Sequence, residues 1–178
     1  IPLANHNLDT ITVSKDINVQ SEVNYLTYND IEQIYQAILK QPNDFIPCGP
    51  YALELLLRLK DRGASKETLA AQAIFIDILL GNIDKRSLSL EPQVMNSLLS
   101  LGLAAKSIYP DMQYAKLKEM SLEAVKENIP FIGHIDANHF VLVAGVNENE
   151  IILLDKQGPF TLKPDEFLKR FSGFGIFL

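Results

Sequence analysis

Residues 130–155 read PFIGHIDANHFVLVAGVNENEIILLD, and here the periodicity of the chain changes. Three short runs, Pro130–His134, Phe140–Val146 and Ile151–Leu154, are rich in Val, Ile, Leu and Phe and are separated by polar residues, which predicts strands. Asn147-Glu148-Asn149-Glu150 is a turn signal between the second and third runs, so these two form an antiparallel hairpin. Downstream, Gly158-Pro159 marks another turn, Pro164–Phe171 reads as one short helix, and Gly175–Leu178 as a last strand.

Upstream the pattern is helical. Asn29, with Glu32 three residues on, suits a capping box, and Ile31, Ile34, Tyr35, Ile38 and Leu39 fall on one face. Gln41-Pro42-Asn43-Asp44 ends that helix. A second follows Cys48-Gly49-Pro50, repeats Ala52, Leu55, Leu56 and Leu59 at helical spacing, and ends near Arg62-Gly63. Ser65 caps a third that carries Leu69–Leu80 and stops at Gly81. A fourth runs through Met95, Leu98, Leu99 and Leu101 to Gly102, and Leu117–Lys126 reads as a fifth. Residues 1–27 have weak periodicity and read as an extended arm, which leaves 28–178 as one domain. Helices first and strands last is an α+β order, with a helical N-terminal half packed on a C-terminal antiparallel sheet.

Composition narrows the function. The 178 residues carry 16 Lys+Arg against 22 Asp+Glu, a net charge of −6, which argues against a nucleic-acid partner. No apolar window approaches the ~20 residues of a membrane-spanning helix. The N-terminus has no basic region followed by an apolar core, so no signal peptide is expected. Its first residue, Ile1, is not Met, which fits a processed chain or an excised domain. The single cysteine, Cys48, excludes an internal disulfide and a zinc site of several thiolates.

Cys48 enters a helix, where unpaired N–H groups and the helix dipole favour a thiolate. The alternative is a small apolar core residue. His139 opens an apolar strand and can serve such a thiol as base. Counting back from the Asn147–Glu150 turn brings His139 close to Asp155, whose carboxylate could accept from the imidazole Nδ1–H and fix its tautomer. Alone, Asp155 would read as a turn-former. His134 and His6 read as surface residues; no metal and no cofactor are called for. An oxyanion needs donors, and the N–H of Cys48 with the side-chain amide of Gln41 or Asn43 would supply them.

The order Gln41, Cys48-Gly49-Pro50-Tyr51-Ala52-Leu53, Leu98–Leu103, Pro130–Gly133, His139–Val143 and Ile152–Asp155, closed by Glu166-Phe167, Phe171 and Gly173, resembles the C39 peptidase family over residues 40–178. That resemblance implies a papain-like fold, with Cys48 as nucleophile, His139 as general base, Asp155 orienting it and Gln41 as oxyanion donor. It further implies a cysteine endopeptidase that cleaves leader peptides after a double glycine, releasing bacteriocins or signalling peptides. Such a domain works in the cytoplasm as part of an inner-membrane ABC exporter, with the exporter's membrane and ATP-binding domains as partners. The chain departs from the family pattern at Pro47, where an acidic residue is usual, at Lys156, where Pro is usual, and in the seven-residue step from Gln41 to Cys48. Two other classes fit the same residues: a silent peptide-binding module of an exporter, and a papain-like transpeptidase or amidohydrolase.

Overall fold

The computed structural model describes residues 8–10, 26–40, 46–84 and 97–178. In chain order the elements are β1 (Leu8–Thr10), α1 (Tyr28–Leu39), α2 (Cys48–Arg58), α3 (Lys66–Leu79), α4 (Leu98–Ile108), β2 (Gln113–Leu117), α5 (Leu122–Asn128), β3 (Phe131–Ile135), β4 (His139–Val146), β5 (Ile151–Asp155), β6 (Gly158–Leu162), α6 (Pro164–Arg170) and β7 (Phe171–Phe177). Among the described residues one sheet has the order β1-β2-β7-β3-β4-β5-β6, and every neighbouring pair is antiparallel.

Both faces of the sheet are covered, which explains why Phe140–Val143 is an unbroken apolar run. Phe140 and Leu142 pack with Ile132 and Ile176 against Leu53, Leu56, Leu57 and Leu69 of α2 and α3 and Leu101 of α4. On the opposite face Val141 and Val143 join Phe131, Phe171 and Phe177, under Val125 of α5 and Phe167 of α6. A third cluster, Ile38, Ile46, Ala70, Ile74 and Ile78, seats α1 on α3.

Buried acids tie the helical half together. Glu54 on α2 accepts the Lys66 backbone N–H at the start of α3 and pairs with Arg58 Nη2 at 2.7 Å. Asp77, near the end of α3 and 1% exposed, accepts from the Ser97 hydroxyl at 2.7 Å, the Ser100 hydroxyl at 2.8 Å, the Ser97 N–H at 3.2 Å and Asn82 Nδ2 at 3.0 Å. This carboxylate fixes where α4 begins, since a buried acceptor is stable only with its donors in place.

Several elements differ from the sequence reading. The first helix is capped by Thr27, whose hydroxyl accepts the Asp30 N–H at 3.1 Å while Asp30 reaches back to the Thr27 N–H, two residues before the expected box. The second stops at Arg58, because Asp61 at φ +53° turns the chain earlier than Gly63. Gly102 does not close α4: it lies inside that helix, where a Cβ would come within 2.7 Å of Tyr114 Cβ on the adjoining β2. The glycine serves that close approach. The stretch read as a helix at Leu117–Lys126 splits into the end of β2 and the seven-residue α5. Gly158-Pro159 opens strand β6. In the arm, Leu8–Thr10 pairs with β2 at the sheet edge; residues 11–25 and His6 lie outside the described residues.

Candidate active site

The first turn of α2 leaves its N–H groups without intrahelical acceptors, and Pro47, its cap, offers no side-chain oxygen. Cys48 is the first residue of that turn and is half-buried. Gly49 lets the turn press against the sheet: a Cβ there would collide with the buried Leu101 and come within 3.2 Å of Phe140 Cδ2. The thiol consequently meets the start of β4, where the Phe140 N–H donates to Cys48 Sγ at 3.4 Å.

His139 carries its Nε2 3.2 Å from Asp155 Oδ2, and its imidazole lies near enough to Cys48 to act on the thiol. This corrects the expected orientation: Asp155 meets Nε2, not Nδ1. The expectation followed the serine-triad arrangement, in which the nucleophile takes Nε2. Asp155 is itself held, because its Oδ1 accepts the Gln157 N–H at 2.8 Å.

A register slip is what brings the carboxylate to the imidazole. Beside the turn, Val146 pairs with Ile151 and Gly145 with Ile152; beyond it, Val143 pairs with Leu153 and Leu142 with Leu154. The strand bulges by one residue at Ala144. Asp155 then follows on opposite Val141, on the face that carries His139 two residues away. Without the bulge it would stand opposite Leu142 and project from the other face. The turn is fixed by Asn147, whose side-chain oxygen accepts the N–H groups of Asn149 at 3.1 Å and Glu150 at 2.8 Å.

The electrostatics follow from these contacts. Burial is the largest influence on Cys48 and raises its pKa, but hydrogen bonds from His139, Phe140 and Gly49 and the nearby imidazole together outweigh it and hold the thiol below its ordinary value. His139 is raised above its ordinary value by its hydrogen bond to Cys48, against the opposing effect of burial and with further help from Asp155. Both shifts run in the same sense, towards a thiolate beside an imidazolium.

Of the residues singled out in the sequence, Cys48, His139 and Asp155 are brought together. Gln41 and Asn43 lie outside the described residues. His134 is elsewhere engaged, with Nδ1 3.0 Å from the Ser172 hydroxyl and its ring against Phe140. Sequence reasoning missed the backbone donors of Phe140 and Gly49, which no side-chain type announces. It also missed a groove of about 310 Å³ lined by Leu98, Tyr114, His134, Asn138, Phe140 and Phe174. Asn138 and Phe140, the chain neighbours of His139, both line it.

A helix-entry thiol set against an imidazole and a carboxylate on neighbouring antiparallel strands defines a papain-like α+β architecture. The model of the peptidase C39 family matches residues 86–178, more than half of the chain, and the chain belongs to that family. Solved structures share the fold. The double glycine motif protease from an AMS/PCAT transporter, solved in complex with the leader peptide, is similar at 19% identity and a TM-score of 0.51, over 74% of this chain and 82% of that one. The peptidase domain of Streptococcus ComA, a bi-functional ABC transporter of a quorum sensing pathway, is similar at 18% identity and 0.53, over 77% and 93%. The N-terminal peptidase C39 like domain of a toxin secretion ATP-binding protein from Vibrio parahaemolyticus is similar at 13% and 0.50, over 73% and 94%. No curated protein sequence matches the chain. Among the described residues no helix is long and apolar enough to cross a membrane.

Proposed function

We propose that the chain is a cysteine endopeptidase that cleaves leader peptides after a double glycine and works as the cytoplasmic peptidase domain of an ABC peptide exporter. The observation that carries the chemistry is the Cys48–His139–Asp155 contact chain, with Phe140 N–H on the sulfur. The likeness to a double glycine motif protease with its leader peptide supports the substrate class.

The Cys48 thiolate attacks the scissile carbonyl carbon. The tetrahedral oxyanion is received by the Cys48 backbone N–H and by the side-chain amide of Gln41, with Asn43 the alternative donor. The oxyanion collapses, the C–N bond breaks, and His139 Nδ1–H gives its proton to the leaving amine, which departs as the mature peptide. The leader stays on Cys48 as a thioester. His139, now neutral, takes a proton from water, whose oxygen attacks the thioester; the leader leaves with a carboxylate and the thiolate is restored. Asp155 holds the imidazole through Nε2 and stabilises its charged form. The groove lined by Leu98, Tyr114, Phe140 and Phe174 offers apolar side chains of the leader a seat.

Incubation with synthetic leader–cargo peptides tests the proposal. Mass spectrometry is expected to find one cut, directly after the Gly-Gly pair, and no cut when that pair is replaced by Val-Val. Peptide that binds and stays whole over long incubation would instead identify a binding module, and transfer of the leader to an added amine a transpeptidase.

Asp155→Asn checks the orienting role. The side chain keeps its shape and loses its charge, so one of the influences raising His139 is gone. His139 must be protonated to serve as acid, so activity is present below its raised pKa and lost above it. The alkaline limb of the kcat/KM profile therefore moves to lower pH, and the plateau falls about tenfold. An unmoved alkaline limb would remove Asp155 from the mechanism.

A further inference from the structure

Resting on the site as read above, we infer that Arg170 is a positioning residue: through Asp136 it clamps the β3–β4 turn in the conformation that presents His139 to Cys48. Ile135 pairs with His139, so the three residues Asp136, Ala137 and Asn138 alone set where β4 begins. Two of them are left-handed, Asp136 at φ +53° and Ala137 at φ +62°. Aspartate accepts that region with modest cost; alanine resists it and has no polar side chain to compensate. Such a turn persists only where its surroundings impose it.

The imposing contacts come from the α6–β7 junction. Arg170 Nε lies 3.0 Å from Asp136 Oδ1 and Nη2 lies 2.6 Å from Oδ2, a two-pronged pair, while the Asp136 N–H donates to the Arg170 carbonyl at 3.0 Å. Backbone and side chain of one residue thus hold both backbone and side chain of the other. Glu166 Oε1, one helical turn earlier on α6, stands 3.6 Å from Arg170 Nη1 and steadies the fork from behind.

The local strand geometry is arranged for this reach. β3 pairs with β7 at Gly133–Gly175 and again at Ile135–Phe171, so Ser172, Gly173 and Phe174 stand against His134 alone. Gly173, at φ +86°, allows that bulge. A regular ladder would run Arg170 past the turn; the bulge brings it level with Asp136. An exposed ion pair usually contributes little to stability. A planar fork that fixes one turn acts on geometry, and small displacements of a base cost catalysis more than they cost folding.

Cys48 is the sole cysteine, so its alkylation by iodoacetamide, followed by mass spectrometry at pH 6.5, reports the imidazole's support of the thiolate without any peptide substrate. Arg170→Ala is expected to slow alkylation about tenfold, as the displaced imidazole supports the thiolate less well, and to lower kcat for a cleaved peptide to a similar extent with KM within about twofold. Arg170→Lys, which keeps the charge and loses the fork, gives an intermediate slowing and serves if the alanine variant does not fold. Adding Ala137→Gly to Arg170→Ala recovers most of the rate, because glycine adopts the turn unaided. Folded Arg170 variants that alkylate and cleave at wild-type rates would overturn the inference, as would a loss that Ala137→Gly leaves untouched. Wild-type protein that alkylates no faster than a free thiol would overturn the underlying site instead.

Discussion

A Cys48→Ala variant is expected to produce no cleaved peptide at any enzyme concentration that leaves the wild type saturated, a loss beyond about 10³-fold in kcat. The chain has no other thiol to substitute. A serine in its place fares little better, since a hydroxyl does not lose its proton to an imidazole as this thiol does, and Cys48→Ser is expected to lie within the same loss. Folding is largely spared. The sulfur is half-buried and its removal takes one atom from the contact with Phe140, which costs about 1 kcal/mol. A melting temperature within a few degrees of wild type, with cleavage gone, separates chemistry from folding; a Cys48→Ala protein that still cuts after the same residue would end the nucleophile assignment.

The second large effect is at His139. His139→Ala removes the leading contacts that lower the Cys48 pKa, while burial, the largest opposing influence, stays. The thiol then rises, and the fraction of thiolate at neutral pH falls. The same substitution takes away the acid for the leaving amine and the base for water. Loss of a positioned acid–base group costs about 10²–10⁴-fold, and with the lost thiolate a fall of about 10³-fold or more in kcat/KM is expected. Raising the pH restores the thiolate but not the leaving-group acid, so the variant recovers only part of the deficit in alkali. Full recovery at high pH would confine His139 to ionising the thiol.

Much of this fold was open to reading because its strands are strongly apolar and its turns polar. The β4–β5 hairpin followed from Phe140–Val146, Asn147–Glu150 and Ile151–Leu154, and Asn147 forms that turn with its own side chain. The helix at Cys48 followed from its Gly-Pro entry, and the one after Ser65 from its cap. β2 was hidden: Gln113–Leu117 alternates weakly and gains its place from pairing with Phe171–Phe177, a tertiary partner no local pattern reveals. Gly102 misled for a related reason, since a glycine needed for packing on Tyr114 looks the same in sequence as one that ends a helix.

The meeting of Cys48, His139 and Asp155 was legible only as far as strand ends allow. The turn alone predicts proximity; the one-residue bulge at Ala144 decides which face Asp155 occupies, and bulges leave no clear mark in a run such as Val141–Val146. The nitrogen that meets Asp155 was unreadable, because it depends on the direction from which α2 approaches the sheet. Belonging to the C39 family, by contrast, rested on ordered anchors over residues 40–178, and the family match covers the part from 86 to 178, which holds His139 and Asp155 and leaves out Cys48.

The thiolate–imidazolium pair underlies every step of the proposed reaction, and its most direct measurement is the pH–rate profile of Cys48 alkylation by iodoacetamide in the wild type and in His139→Ala. The wild type is expected to alkylate well below the pH at which an ordinary thiol ionises, with its lower limb shifted to acid, and His139→Ala to lose that acid reactivity and follow a single limb displaced to alkali. Two superimposable profiles would contradict the pairing of Cys48 with His139 and the mechanism built on it.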